Sequence, residues 1–379
     1  MRLFGLLFRH VRFQALEHNL PKQLTFAYST QSKPLPETAS FAMNLFRGKL
    51  NVTEILPFPK VLSPDKCQHL QDVLDQLEKF VDTEVDAAKY DSLGKFDETV
   101  LSSLGEFGAY GLQAPEQYNG AGLTFSEYAR LVSVIGKCDL ALGTHLGAHQ
   151  GIGYKGIVIR REKFAAYCLT EPDTGSDVSS IQTKAELSPD GKHYVLNGTK
   201  VWITNGGLAD VFTVFAKVPV TDKDGQIKQK MAAFIVERSF GGVTHSEPEK
   251  KMGINASNTV TLYFEDCKVP VENVVGQIGD GFKVAVNILN QGRFAMAAAL
   301  SGTMFATIKQ TTQHVLQRKQ FGKSLSEYQS VQEKLTNMVL RHYVSEVSKP
   351  IDIPHVNRSF LCRAMLMSSW VYLFHNSML

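Results

Sequence analysis

Apolar residues return at three- and four-residue steps from Ser63 onward: Leu70, Val73, Leu74, Leu77 and Val81 share one face of a predicted amphipathic helix. Phe96 to Phe107 is a second helical stretch. Thr124-Phe-Ser-Glu127 is a capping box, and Tyr128, Leu131, Val132 and Ile135 follow it on one face. The Gly-rich run between Gly111 and Gly122 is a loop. Residues 63–164 therefore form a predicted N-terminal helical domain. The period then changes. Val211-Phe-Thr-Val-Phe-Ala-Lys-Val, Met231-Ala-Ala-Phe-Ile-Val and Thr259-Val-Thr-Leu-Tyr-Phe-Glu are β-branched and aromatic runs bounded by turn residues. No helical period separates them, so residues 165–280 are expected to form an antiparallel β-barrel domain. From Gly281 helix returns, with Phe282, Val286, Leu289, Phe294, Leu300 and Met304 on one long helix to Arg318, and a second helix from Ser326 to about Ser348. The fold class is α+β, with an incomplete C-terminal helical bundle over 281–348 and a divergent apolar tail over 349–379.

The N-terminus differs from this body. Residues 1–35 carry Arg2, Arg9, Arg12, Lys22 and Lys33 against a single acid, Glu17, with Phe4, Leu7, Phe8, Val11 and Leu16 able to share a face. This is the composition of a mitochondrial transit peptide. Residues 36–62, with Pro36, Pro57 and Pro59, read as a linker. A formal net charge of +3 over 379 residues gives no reason to expect nucleic acid as a partner. Five cysteines without a Cys-x-x-Cys spacing argue against a disulfide scaffold or a zinc centre. No apolar run approaches the ~20 residues that cross a bilayer.

Three stretches carry candidate chemistry. Tyr167-Cys168-Leu169-Thr170-Glu171-Pro172-Asp173-Thr174-Gly175-Ser176 reads as a short strand that stops at Pro172 and turns through Gly175, leaving hydroxyls and free N–H groups on an open loop. Tyr194 to Gly206 reads as a hairpin about Asn197-Gly198, with Trp202 and Thr204 on one face and a second Asn-Gly after them. Arg318-Lys-Gln320-Phe321-Gly-Lys follows the long helix. Two other patterns are decoys. Gly151-Ile-Gly153-Tyr-Lys-Gly156 matches a dinucleotide fingerprint but follows helix and not strand. His145 and His149 lack the glutamate of a zinc-binding His-Glu-x-x-His motif and are expected to be packed.

In this order and spacing the three stretches resemble the acyl-CoA dehydrogenase family, from about Leu56 to about Val347. The long N-terminal part and Asn290-Gln-Gly-Arg-Phe294 are most similar to its very-long-chain branch, including the sister branch linked to assembly of respiratory complex I. The resemblance implies FAD as cofactor and α,β-desaturation of long-chain acyl-CoA thioesters to trans-2-enoyl-CoA in mitochondrial β-oxidation, in the matrix or at the matrix side of the inner membrane. It implies electron-transfer flavoprotein as electron acceptor and a homo-oligomer, either a homodimer or a tetramer. It also implies cofactor contacts at Tyr167, Cys168, Leu169, Thr170, Gly175, Ser176, Trp202, Ile203 and Thr204. Thr170 would donate to the polar edge of the flavin ring, Trp202 would cover it, and Thr204 would bond near the hydride-accepting nitrogen. Arg318, Gln320, Phe321 and Gln329 would reach the FAD of a neighbouring subunit. Ser176, Asn290, Gln291, Gly292 and Arg293 would meet the acyl-CoA, with Arg293 opposite the CoA nucleotide.

The sequence departs from the family in three places. It contains no Glu-Gly pair, the setting of the glutamate that removes the α-proton in most members. Gly292 stands where one branch places its glutamate on the long helix. Ile157-Val-Ile-Arg-Arg-Glu-Lys-Phe164 bridges a gap that the family fills with about one more helix and a turn. No residue of the sequence is assigned as the catalytic base, and the polypeptide is expected to be impaired. A non-catalytic assembly partner of complex I is the alternative. An acyl-CoA oxidase is a weaker one, because the terminal Ser-Met-Leu is a poor relative of a peroxisomal signal.

Overall fold

A computed structural model of the chain describes residues 63–153, 163–221 and 224–348, without the side chains of 151–153, 291, 347 and 348. The transit-peptide and linker segments, the tail after 348 and most of the 157–164 bridge lie outside the described residues.

The first part is helical: α1 (Pro64–Glu84), α2 (Ala87–Leu93), α3 (Glu98–Glu106), α4 (Phe125–Cys138) and α5 (Leu140–Gly147). Ser63 accepts the Lys66 N–H and Pro64 opens α1, where a missing donor costs nothing. The Thr124–Glu127 capping box forms as expected, with the Thr124 N–H donating to Glu127 Oε2 at 2.8 Å. Leu77, Leu104, Leu131, Val132, Ile135 and Leu142 meet in one core. Each contributes roughly 1.5–3 kcal/mol of burial.

The middle part is a curled seven-stranded sheet: β1 (Ala165–Cys168), β2 (Lys184–Leu187), β3 (His193–Thr204), β4 (Val211–Thr221), β5 (Ile227–Glu237), β6 (Val243–His245) and β7 (Thr259–Pro270). β3 pairs with β2 and β7, β4 with β5, and β6 with β7, all antiparallel. β1 and β4 pair in parallel, Ala165 opposite Val211. The chain leaves β1 by a long loop and returns to it only after the β2–β3 hairpin.

The expected hairpin at Asn197-Gly198 is overturned. Asn197-Gly198 does not turn the chain; β3 runs straight through it from His193 to Thr204. The pair makes a bulge against β7. Asn197 is held by Asp266, whose N–H donates to Asn197 Oδ1 at 2.8 Å. Glycine is required at 198 by close approach, since a Cβ there would stand 2.5 Å from Thr183 Oγ1.

The third part is α6 (Gly281–Gln317), a 37-residue helix about 55 Å long at 1.5 Å per residue. Its first turns pack Ala285 and Ile288 against Leu169, Ile181, Phe215 and Met231 of the sheet domain. Further along it crosses α4, where Thr303 Oγ1 donates to the Gly136 carbonyl at 2.6 Å. A small hairpin, β8 (Lys319–Gln320) and β9 (Lys323–Ser324), leads to α7 (Gln329–Ser348). Among the described residues no helix is long and apolar enough to cross a membrane.

Candidate functional site

The loop after β1 and the end of β3 are stitched together. Val201 N–H donates to the Thr170 carbonyl at 2.9 Å. Lys200 Nζ donates to the Leu169 carbonyl at 3.1 Å and to Glu171 Oε1 at 2.7 Å. Glu171 and Thr174 exchange backbone bonds of 3.0 and 3.1 Å, closing a tight turn at Pro172-Asp173. The turn expected through Gly175 is thus made one step earlier; Gly175 is absent from the residues of positive φ and stands exposed beside exposed Ser176. Thr170 is half-buried.

β3 is irregular where it meets this loop. A bulge falls between Lys200 and Ile203, and Trp202 takes φ 57°, a left-handed conformation uncommon for a bulky side chain. Residues two apart in a strand ordinarily share a face, yet Lys200 is fully buried while Trp202 is 65% exposed. After the bulge alternation resumes, so Ile203 enters the core and half-buried Thr204 returns to the side of Trp202. A large flat ring thus stands in solvent, on the strand face shared with Thr204 and next to Val201, whose N–H holds the Thr170 carbonyl.

Other expected site residues are placed differently. Cys168, Leu169 and Ile203 are buried in the core, so only their backbone can meet a ligand. Burial pushes the Cys168 thiol well above its usual range, which keeps it protonated. Tyr167 lies edge-on to Phe215, with centroids 5.1 Å apart, and its hydroxyl donates to the Ala285 carbonyl of α6 at 3.2 Å. Burial raises its pKa first of all, and the nearby Arg293 charge opposes that rise. Arg293 itself donates to Asn290 Oδ1 at 2.8 Å, and both are half-buried. Gly292 lies between them on the helix; the Gln291 side chain lies outside the described part. Tyr167, Asn290 and Arg293 therefore gather where the sheet meets the first turns of α6.

Arg318, Gln320, Phe321 and Gln329 are not part of that gathering. Arg318 caps α6 at its far end, 25 residues from Arg293, or about 38 Å along the axis. Phe321 and Gly322 take φ 52° and 81°, the signature of a two-residue hairpin turn between β8 and β9. That turn holds the Phe321 ring 94% exposed, with exposed Arg318, Gln320 and Gln329 around it. The sequence reading did not foresee the hairpin, although Gly322 marks its second position.

The two histidines are buried. His145 donates from Nδ1 to Asn205 Oδ1 at 2.8 Å, and Asn205 Nδ2 returns a bond to the His145 carbonyl at 2.9 Å. His149 Nδ1 accepts the Ala165 N–H at 3.0 Å. Burial lowers both to a pKa of about 4, so both are neutral. They join the helical domain to the strands that carry the loop and Trp202.

The N-terminal, middle and C-terminal domain patterns of acyl-CoA dehydrogenases match residues 68–160, 166–267 and 279–347. The very long-chain specific acyl-CoA dehydrogenase, mitochondrial, of Mus musculus is 49% identical over 343 residues, 86% of this chain and 52% of that protein. The chain thus spans about half the length of the curated relatives it matches. Butyryl-CoA dehydrogenase from Megasphaera elsdenii superposes with a TM-score of 0.73 at 30% identity, covering 82% of this chain and 85% of that one. Acyl-CoA dehydrogenase complexed with FAD from Bacillus anthracis gives 0.69 at 34% identity, covering 81% and 57%.

Proposed function

This chain belongs to the acyl-CoA dehydrogenase family, and from that premise we propose that it binds FAD against the Thr170–Ser176 loop and Trp202 and presents it to a long-chain acyl-CoA thioester lying near Asn290 and Arg293. The observation that carries this reading is Trp202. A solvent-exposed indole held in a left-handed bend, on the strand face of half-buried Thr204, is costly unless a flat partner covers it. Thr170, Thr204 and the exposed backbone near Ser176 supply donors suited to the polar edge of such a ring.

Bound flavin would accept the hydride equivalent leaving the β-carbon. The protein's own part is to bind, orient and exclude water. Arg293 is a fixed cation for a CoA phosphate, already oriented by Asn290. Tyr167 holds the loop domain to the first turns of α6, so that the flavin face and the thioester keep their spacing. Arg318, Gln320, Phe321 and Gln329 stand at the opposite end of the long helix from Arg293. They suit contact with a second copy of the chain, which supports a homodimer in which each hairpin serves its neighbour's cofactor.

General base chemistry is the weak point. The sequence has no Glu-Gly pair, and Gly292 offers no side chain on the long helix. A positioned base contributes ~10²–10⁴-fold, so these 379 residues by themselves are expected to turn over acyl-CoA slowly or not at all. The second reading is a non-catalytic role such as assembly of respiratory complex I. Electron transfer to electron-transfer flavoprotein belongs to the first reading; mitochondrial location belongs to both, and the similarity to mitochondrial relatives supports it. The test is reduction of an artificial electron acceptor by the purified chain with FAD and a long-chain acyl-CoA. Slow or absent turnover with retained flavin fits the proposal, a normal flavoenzyme rate contradicts the missing base, and loss of flavin contradicts the site.

A further inference from the structure

Lys200 and Glu171 are the one fully buried ion pair among the described residues: Nζ and Oε1 are 2.7 Å apart, and the side chains are 0% and 4% exposed. The other ion pairs there are partly exposed. Stability does not explain such a pair. Desolvating two ions costs several kcal/mol each, and apolar replacements of buried pairs are often neutral or stabilising.

Its connections do explain it. Glu171 accepts from Thr183 N–H at 3.0 Å, from Thr183 Oγ1 at 2.6 Å and from the Gln182 N–H. Lys200 reaches past Glu171 to the Leu169 carbonyl. With the Val201–Thr170 backbone bond, three consecutive loop residues, 169–171, are tied to two consecutive strand residues, 200 and 201. Trp202 is the next residue. The bulge that turns Lys200 inward is the same one that turns Trp202 outward.

We propose that Lys200 and Glu171 are positioning residues: a buried charge clamp that sets the Thr170–Ser176 loop against Trp202 and thereby fixes the geometry of the flavin-ring site. The proposal rests on the flavin reading above. Its electrostatics agree. Burial alone would raise the Glu171 pKa, but the Lys200 charge and the hydrogen bonds of Thr183 and Gln182 bring it below the usual range. Burial lowers Lys200, and Glu171 opposes that. Because the neighbouring Cys168 thiol is held protonated, Glu171 is the anion that Lys200 meets.

The test compares the full chain with the double variant Lys200→Met/Glu171→Gln, which neutralises both ends while a carboxamide oxygen still accepts from Thr183. Three quantities are read: the flavin-free melting midpoint, hydrogen exchange in peptides covering 182–183 and 201, and affinity for FAD by titration. The clamp predicts a folded double variant with a near-normal midpoint, faster exchange at those amides and FAD binding weakened by roughly tenfold or more. A merely structural role predicts a lower midpoint with unchanged affinity in the folded fraction, and that overturns the proposal. If the double variant does not fold, Thr183→Val removes one donor to Glu171 and leaves both charges. A folded Thr183→Val chain with weaker FAD binding supports the clamp, and an unchanged one overturns it. Unsubstituted chain that binds no FAD sinks the flavin reading and the clamp with it. Unsubstituted chain and double variant that bind FAD equally sink the clamp alone.

Discussion

His145 and Asn205 exchange two hydrogen bonds across the boundary between helices and sheet, Nδ1–H to Oδ1 at 2.8 Å and Nδ2–H to the His145 carbonyl at 2.9 Å. Asn205 comes directly after Thr204, so this couple anchors the strand end that carries the exposed indole. Both side chains are fully buried, and an unpaired donor left there costs about 1–3 kcal/mol. Asn205→Ala should lower the thermal midpoint of the chain by several degrees. An unchanged midpoint would mean that the couple contributes nothing to docking the helices on the sheet.

Acid should unfold the chain early, for a related reason. His145 and His149 are neutral in the fold with pKa values of about 4, lowered by burial from the ordinary value near 6.5. Between these limits the unfolded state binds more protons than the folded one, so stability rises with pH across that window. No loss is expected from these groups above pH about 6.5. Each should cost about 1.4 kcal/mol per unit as pH falls from there towards 4. Tyr110, Phe96 and Phe164 pack against His145, and none offers an anion that would hold an imidazolium in place. Denaturant midpoints measured from pH 7.5 to 4.5 check this, and His145→Gln should flatten the slope.

Gly198→Ala addresses the bulge that replaced the expected hairpin. The added Cβ would meet Thr183 Oγ1 at 2.5 Å and Thr183 Cα at 2.8 Å, and those atoms cannot shift without disturbing the bonds from Thr183 to Glu171. A loss of about 1–3 kcal/mol is expected, read as a lower urea midpoint with an unchanged slope. A neutral result would show that β2 and β3 are not in close contact there.

Trp202→Ala should leave the flavin-free fold nearly as stable, because the ring is 65% exposed and contributes little burial. Loss of the stacking surface should weaken FAD binding by roughly tenfold, from about 1.4 kcal/mol of aromatic contact. Equal affinity in the variant would place the flavin elsewhere.

The sequence made the layout readable because its periods are unmixed. Leu70 to Val81 and Tyr128 to Ile135 repeat at helical steps, and both stretches are helices with buried faces. The β-branched runs from Val211 onward are strands. Bulges are where reading from pattern fails. Asn197-Gly198 has the chemistry of a hairpin turn, but pairing of β3 with β7 on both sides of it outweighs the local preference. At Lys200 the two-residue alternation gives the wrong face, because the left-handed Trp202 resets it. Glu171 and Lys200 both stood in the motifs, but their pairing across 29 residues is a tertiary fact that spacing does not encode. Phe321 was visible as part of a motif, and only its positive φ reveals the hairpin that exposes it.

The central claim is that the stitched loop and the exposed indole form a flavin site, and the visible spectrum of the full chain tests it most directly. Purified with FAD and passed through gel filtration, the protein should keep a flavin absorption band, with tryptophan fluorescence quenched as Trp202 becomes covered. A colourless protein whose tryptophan emission ignores added FAD would contradict the account.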